Sequence, residues 1–423
     1  MLGQYIQALP GVLGLCLLVM GTDVLLAVGE GRDRPRSHRW RRIGLAVGLV
    51  AAIAFAALRG TAVVTRRSTV NLPTLIACVV LDLLMIAVVV RARALTRDWR
   101  RHRGLMDAAN AVTAAGIAAT AFFAVPDVIL QLTNFVDTGD SPFTSDMLLR
   151  ALGFLLGIGT AMAAAAIFRT MRSTAVRRAF TLAVLLVVVL QLLHHLAELF
   201  SLLMNMMILV LHGTAFRVLI LVHNHGLQMT IAQALVFAIP AVASIVAGFR
   251  TAATGPNEAA VRSRIAFRRR AKAAGAWSLV AMILVTATLA WGTYETNKEP
   301  VISEPEEYSL ADGVATISFA QVEDGHLHRF EYTAADGTVM RFIIIKKNGG
   351  AYGIGLDACE TCGDAGYYEQ DGKIICKRCD VAINLATIGF KGGCNPVPLP
   401  YEIGDGAITI QAADLDALSA HFK

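Results

Sequence analysis

The sequence predicts a polytopic α-helical membrane bundle of about eight transmembrane helices, followed by a small, mainly β, Cys-rich soluble domain. Of the 423 residues, 55% are hydrophobic, and the mean hydropathy of +0.57 goes with an apolar content above that of ordinary soluble domains. Several apolar runs reach the length of about 20 residues that crosses a bilayer. Five of the seven cysteines fall between positions 359 and 394.

The predicted spans alternate with Arg-rich connections. Four connections, at residues 29–42, 91–103, 169–178 and 250–274, are strongly basic and are expected in the cytoplasm under the positive-inside rule. The other connections are Arg-poor or acidic, so the N-terminus and the C-terminal domain are expected on the extracytoplasmic side of the cell membrane. The predicted spans are residues 5–28, 43–64, 71–90, 105–125, 148–168, 179–203, 227–249 and 275–293, and the acidic connection carries Asp137, Asp140 and Asp146.

Residues 199–226 are apolar enough to contain another span, but one more crossing would break the alternation of the Arg-rich connections. We therefore expect a helical extension of the sixth span, followed by a re-entrant or interfacial segment. The first span has Gln4 and Gln7 where a signal peptide has basic residues, and no clear cleavage site follows. A retained anchor is therefore favoured over a removable signal peptide.

Charge differs in sign between the two parts of the chain. Residues 1–293 hold 28 Lys and Arg against 12 Asp and Glu, whereas residues 294–423 hold 10 against 20. The basic residues sit in short runs between apolar stretches, which is typical of membrane topology signals. No nucleic-acid partner is therefore expected, and the lipid bilayer is the predicted surrounding of the first part.

The predicted transmembrane domain covers residues 1–293, and a linker rich in Pro and Glu follows at 294–314. An extracytoplasmic Cys-rich metal or redox domain is predicted at 315–423. Apolar and polar residues alternate there, in stretches such as ATISFAQV and TVMRFIIIKK, which is typical of β-strands. The segment AADGT predicts a hairpin, and a short helix is expected to begin near Ala412.

The C-terminal cysteines form two C-x2-C pairs thirteen residues apart, and a fifth cysteine follows fourteen residues later. Such pairs suit tetrahedral thiolate ligation, because each presents two sulfurs from one tight turn. Iron, zinc and copper are the candidate ions. Two disulfides, which an oxidising exterior permits, and a purely structural zinc are the alternatives. The candidate ligands are Cys359, Cys362, Cys376, Cys379 and Cys394.

Two histidines lie upstream of these cysteines. His326 and His328 project to the same side if they lie on one strand. They are candidate metal ligands, alone or together with the cysteines. The alternative is a pair of exposed histidines beside a turn.

Four stretches of this region, DGHLHRFEY, VMRFIIIKKNGG, DACETCGDAGYYEQDGKIICKRC and IGFKGGCNPVPL, resemble the membrane iron-sulfur containing FtrD-like family. The resemblance extends from about Leu310 to Leu418. It implies an accessory electron-transfer protein of a bacterial ferrous-iron uptake system. It also implies that the five cysteines hold an iron-sulfur or related centre. The implied partners are an iron permease and periplasmic iron-binding or cupredoxin-like proteins.

Polar residues also recur inside the predicted membrane domain, where ionisable groups are costly and therefore indicate function. Asp82 lies in the third predicted span. Gln191 and several ionisable residues share one face of the sixth. Histidines on facing helices would ligate haem, and hydrogen bonds between helices are the alternative. The candidate cofactor-binding residues are His194, His195, Glu198, His212, His223 and His225.

Two further functions are compatible with the sequence. A transmembrane thiol-disulfide relay would use Cys16 and Cys78 to carry reducing equivalents to the outer C-x2-C pairs. A non-redox metal-binding or scaffold subunit of the transporter would hold structural zinc. No Arg-Glu-x-x-Glu motif of the oxidase-dependent iron permeases occurs in the chain, so it is not expected to be the channel itself.

Overall fold

The structure is a computed structural model that divides the chain into two compact units, Met1–Asn297 and Lys298–Lys423. It describes residues 1–28, 35–135, 144–296, 298, 301–347, 350–370, 372–379, 381–404 and 406–423, without the side chains of Asn134 and Asp146. Asp137 and Asp140 of the predicted acidic connection lie outside the described residues, as do parts of the first basic connection and of the linker.

The first unit confirms the predicted helical membrane architecture. Among the described residues, eight helical segments are long and apolar enough to cross a membrane. The helices are α1 (Leu2–Leu25), α2 (Ser37–Gly60), α3 (Ser68–Arg97), α4 (Arg103–Leu130), α5 (Ser145–Arg169), α6 (Arg177–Asn205), α7 (Gly213–Asn224), α8 (Gly226–Leu235), α9 (Ala238–Arg250) and α10 (Glu258–Thr296).

Helix α1 occupies the centre of the bundle, since 61% of its most apolar window is buried, against 28% for α2 and α3. Small residues allow other helices to approach closely, as is usual in membranes. A Cβ atom added at Gly44 of α2 would lie 2.3 Å from the Ala114 oxygen of α4. Close packing of α2 on α4 therefore depends on that glycine.

The ambiguous stretch at residues 199–226 contains no additional span. The sixth span extends to Asn205, as expected, and α7 has only 12 residues. At 1.5 Å per residue, α7 is about 18 Å long, which is too short to cross the hydrocarbon core. Helices α8 and α9 together make the next span, Gly226–Arg250.

In its described residues, the second unit contains three small antiparallel sheets, with the strand orders β1-β2-β10-β9, β3-β4-β5 and β6-β7-β8. The mainly β character that the sequence predicts is thereby confirmed. The strands are β1 (Ser309–Ala311), β2 (Val314–Ser318), β3 (His328–Thr333), β4 (Val339–Lys346), β5 (Tyr352–Leu356), β6 (Tyr367–Gln370), β7 (Lys373–Cys376), β8 (Ala382–Ile383), β9 (Glu402–Gly404) and β10 (Ala407–Gln411). Two short α-helices, α11 (Phe319–Val322) and α12 (Ala412–Ala417), also occur among the described residues of this unit.

Strand β4 is buried on both faces and separates two cores. Met340, Phe342 and Ile344 face the larger core, which also contains residues of β2, β3, β5 and β10. Ile343 and Ile345 face a smaller core that contains three of the cysteines. Because side chains alternate along a strand, β4 anchors the cysteine-bearing sheet to the rest of the unit.

The local predictions for this unit are mostly confirmed. AADGT forms the turn between β3 and β4, where Ala334 N donates to Thr338 O and Gly337 has φ +84°. A short helix begins at Ala412. The prediction of one strand over ATISFAQV is wrong, because the strand ends at Ser318 and α11 follows. Phe319 N still donates to Gly406 O, one step beyond the Ser318–Ala407 pair of β2 and β10, and the chain then leaves the sheet as α11.

Candidate metal centre

The first C-x2-C pair lies on a tight turn after β5. Cys359 and Gly363 exchange two backbone hydrogen bonds, of 3.0 and 2.9 Å between N and O. Gly363 has φ +69°, a conformation that favours glycine. Cys362 N also donates to Cys359 Sγ at 3.0 Å. The turn therefore holds both sulfurs close together, and a backbone amide donates a hydrogen bond to one of them.

The second pair begins where β7 ends. Cys376 is the last residue of that strand, in register with Tyr367 of β6, and Cys376 N donates to Val381 O at 3.1 Å. Backbone amides of Arg378 and Cys379 point to the Cys376 sulfur. This arrangement repeats the first turn and brings Cys379 back beside Cys376.

The fifth cysteine is held by two side-chain hydrogen bonds. Tyr367 Oη donates to Cys394 O at 2.7 Å, and Thr361 Oγ1 donates to Gly393 O at 3.1 Å. Gly393 has φ +61°, so the chain turns sharply before the cysteine. The Cys394 sulfur consequently lies 3.5 Å from the Cys379 sulfur.

All five sulfurs converge in two overlapping groups that share Cys362. Within each group of three, the sulfurs lie within 4.8 Å of one another. Four sulfurs at 2.3 Å from one tetrahedral ion lie about 3.8 Å apart, so the spacing fits thiolate ligation of a metal. The groups are Cys359, Cys362 and Cys376, and Cys362, Cys379 and Cys394.

The thiols differ in acidity. Burial raises the pKa of Cys362 and of Cys376, and the hydrogen bond with Cys379 raises the pKa of Cys394. The pKa of Cys379 is lowered, chiefly by the backbone N–H of Val381. Several thiolates cannot lie so close together without a compensating positive charge. A bound cation would supply that charge, and this is the chemical reason why such a cluster suits a metal.

A buried network of ion pairs and hydrogen bonds stabilises the chain beside the first cysteine turn. Asp357 precedes Cys359 by two residues, and its carboxylate accepts hydrogen bonds from Arg329 Nε at 2.8 Å and Arg341 Nε at 3.0 Å. It also accepts from Tyr367 N at 2.8 Å. Asp357 was not among the predicted site residues, although a carboxylate at the end of the apolar stretch AYGIGL was the available signal.

The two upstream histidines lie among carboxylates, apart from the sulfur groups. His326 Nδ1 is 3.0 Å from Glu369 Oε1. Both ring nitrogens of His328 lie 2.8 Å from carboxylate oxygens, of Glu306 and Asp324. In the part of the chain that the structure describes, neither histidine belongs to a group of three metal-type ligands.

The histidines of the membrane unit do not converge on one point. His195 is buried, and its two ring nitrogens contact Asp82 and Gln191. His223 lies 3.4 Å from Glu198, and its exposed side chain also contacts Ser201. Of the other histidines, His194 lines a small cavity beside α1, His212 precedes α7, and His225 contacts Leu221 O.

The remaining two cysteines lie inside the membrane unit. Cys78 of α3 is 1% exposed. Cys16 of α1 is partly buried and lines a separate cavity between α1, α2 and α5. Neither belongs to a ligand group in the described residues.

Comparison with known proteins agrees with this geometry. No curated protein and no solved structure matches the chain. Residues 322–422, which contain all five clustered cysteines, match the family described as membrane iron-sulfur containing protein FtrD-like.

Proposed function

We propose that this multi-pass membrane protein is an accessory electron-transfer component of a bacterial ferrous-iron uptake system, with a cysteine-ligated metal centre in its second unit. The convergence of five sulfurs within two groups that share Cys362 carries this proposal. The family match over residues 322–422 favours iron and an iron-sulfur or related centre. An iron centre with thiolate ligands supplies one-electron redox chemistry when bound.

The protein residues would serve this centre in distinct ways. Cys359, Cys362 and Cys376 are buried and would hold the metal away from water. Backbone amides that point to sulfur favour the thiolate form and raise the reduction potential of such sites. Cys379 is exposed, so electrons would enter or leave at its edge of the centre, without crossing the buried core.

The location and the partners extend the proposal. The Arg-rich connections favour an extracytoplasmic second unit, within reach of periplasmic iron-binding or cupredoxin-like proteins and of an iron permease in the same bilayer. A C-terminal alkaline phosphatase fusion, active only outside the cytoplasm, would test this placement. The placement would be contradicted if the phosphatase fusion is inactive and a C-terminal fusion to a fluorescent protein is active instead.

The central experiment is metal analysis with an optical spectrum of the purified full-length protein. The test variant is Cys359→Ser with Cys362→Ser, and the matched control is Cys16→Ser with Cys78→Ser, which removes two cysteines outside the cluster. Iron and visible absorption that are lost in the first variant and kept in the second would support the proposal. Zinc without redox activity would replace it with a scaffold role, and a Soret band in both variants would place haem at the membrane histidines.

A thiol-disulfide relay is the second candidate, and one observation favours it. The sulfurs of Cys379 and Cys394 lie 3.5 Å apart, and Cys379 is both exposed and the more acidic thiol. Oxidation of the two thiols to a disulfide would release two electrons and two protons, which would reduce a partner disulfide to a dithiol. Loss of electron transfer in Cys16→Ser with Cys78→Ser would support the relay, and full retention would exclude it.

A further inference from the structure

A continuous chain of polar side chains crosses the interior of the membrane unit. Asp82 of α3 lies 2.6 Å from His195 of α6, between Oδ2 and Nδ1. His195 Nε2 lies 3.0 Å from Gln191 Nε2, and Gln191 Oε1 accepts from Gln233 of α8 at 3.2 Å. The four side chains are at most 7% exposed. Three helices are therefore joined by one hydrogen-bonded chain.

The hydrogen bonds define where the proton lies. Gln191 Oε1 accepts from Gln233, so its amide nitrogen donates to His195 Nε2. Nε2 is then the unprotonated nitrogen, and Nδ1 donates its proton to Asp82. In this state His195 is neutral and the pair carries one negative charge.

A negative charge at this position lacks compensation. Asp82 Oδ1 has no hydrogen-bond partner among the described residues, and His195 is the one ion-pair partner that the described residues give Asp82. An uncompensated charge in the interior of a membrane protein is costly. Uptake of one further proton on Asp82 makes the pair neutral overall.

This series of hydrogen-bonded side chains ends at a cavity, which offers a route for the proton. The cavity has a volume of about 90 Å³ and is lined by Gln191, Gln233, His194, Thr120 and Thr230, among others. Such a volume holds several water molecules, since about 15 Å³ suffices for one. Under the predicted topology, four of these residues fall in the outer halves of their helices, and Gln191 lies at the middle of α6.

Among the described residues, few other titratable groups lie within electrostatic reach of the pair. Cys78 is on the same helix as Asp82. His194 is next to His195, with ring centroids 6.0 Å apart, and is itself near His223. The groups that α8 and α1 present to the chain are uncharged, namely Gln233 and Gly14.

We propose that Asp82 and His195 form an intramembrane proton-binding site that exchanges protons with the outer side through the cavity beside Gln191 and Gln233. The ligand is the proton itself, carried to the site by water. This site is separate from the cysteine centre and does not rest on the function proposed above. It would let the membrane unit take up or release a proton while the protein functions.

The test is infrared difference spectroscopy of the full-length protein in lipid nanodiscs. Lowering the pH from about 8 to 5, the range in which histidine sites titrate, should produce a protonated-carboxyl band. The band should be absent in Asp82→Asn and unchanged in Asp127→Asn, a control carboxylate that is paired with Arg59 at a helix end. His195→Gln should shift the midpoint upward by about one pH unit or more, because a lone buried carboxyl retains its proton.

Identical difference spectra for the wild type and Asp82→Asn would overturn the proposal and leave a purely structural pair. If Asp82→Asn does not fold, the His195→Gln midpoint decides, since an unshifted band cannot come from Asp82.

The route is tested by Gly14→Ala, whose Cβ would lie 2.9 Å from Gln233 Oε1 and 3.0 Å from Gln191 Oε1. Deuterium exchange of the band should then slow several-fold. Gly3→Ala, in open space on the same helix, should leave the rate unchanged, and an unchanged rate in Gly14→Ala would exclude this route.

Discussion

Asp357 Oδ2 accepts a hydrogen bond from Arg329 Nε at 2.8 Å, and both side chains are fully buried. Arg329 also donates to Ser303 O at 2.7 Å and to Tyr367 O. The pair therefore connects β3 to the chain on both sides of the first cysteine turn. Removal of one member leaves the other charge buried without its partner, which is the expensive case for a buried ion pair.

We predict that Asp357→Asn destabilises the second unit by about 3–5 kcal/mol and loosens the turn at Cys359. Hydrogen exchange of the full-length protein, followed by mass spectrometry, measures this as faster opening of β3 and β5. The control is Asp364→Asn, an exposed residue of the same turn, for which a change within about 0.5 kcal/mol is expected. Equal effects of the two variants would show that the buried pair contributes little.

Tyr367→Phe tests the role of Cys394 as a ligand. The variant removes the 2.7 Å hydrogen bond from Tyr367 Oη to Cys394 O and keeps the buried ring. Residues that orient metal ligands typically contribute 10- to 100-fold to affinity, and we expect a loss of about tenfold. A competition titration with a chelator measures it. Tyr401→Phe, at a tyrosine that is 40% exposed, is the control. Unaltered affinity in Tyr367→Phe would mean that Cys394 is not a ligand.

Sequence patterns predicted the membrane helices well, because a bilayer imposes a strong length and hydropathy requirement on each span. The sixth predicted span, 179–203, corresponds to Arg177–Asn205. The last helix extends well beyond its predicted span, since α10 begins at Glu258 whereas the predicted span begins near residue 275. Its first part is rich in Ala and Arg, which are strong helix formers, but it is not apolar.

The convergence of the cysteines was predictable from their spacing, whereas the residues around them were not. C-x2-C pairs bring sulfurs together through local turns. The contact of Asp357 with Arg329 joins positions 28 residues apart, and that of Asp82 with His195 joins positions 113 apart. Such pairs depend on which strands or helices are neighbours, which hydropathy patterns do not specify.

The thiols of the metal-free, reduced protein are predicted to react in a fixed order. Cys379 is exposed and its pKa is lowered by the Val381 amide, so it has the larger thiolate fraction at neutral pH and should be alkylated first. Cys362 and Cys376 are buried and their pKa values are raised, so they should react last. Timed alkylation with mass spectrometry measures the order. Metal binding should protect all five, and uniform reaction of the free protein would contradict the observed geometry.

The C-terminus is predicted to loosen in acid because of Asp336. Its carboxylate lies 2.8 Å from Lys423 Nζ and accepts from Ser419 Oγ at 3.0 Å, and the Lys423 ammonium is the largest cause of its lowered pKa. A lowered pKa stabilises the folded state above the unfolded pKa of about 3.9, and this stabilisation is lost as the pH falls below that value. Hydrogen exchange of residues 412–423 should therefore accelerate, relative to the rest of the unit, below about pH 4.

Asp336→Asn should show the faster exchange of this segment already at neutral pH and should abolish its additional acid sensitivity. The control is Asp312→Asn, in the turn between β1 and β2 of the same unit, which should keep the acid sensitivity of the wild type. Because the Asp336 carboxylate is partly exposed, the pair is screened by solvent and the effect should remain confined to the C-terminal segment. Acid sensitivity that persists in Asp336→Asn would assign the effect to other carboxylates of the unit.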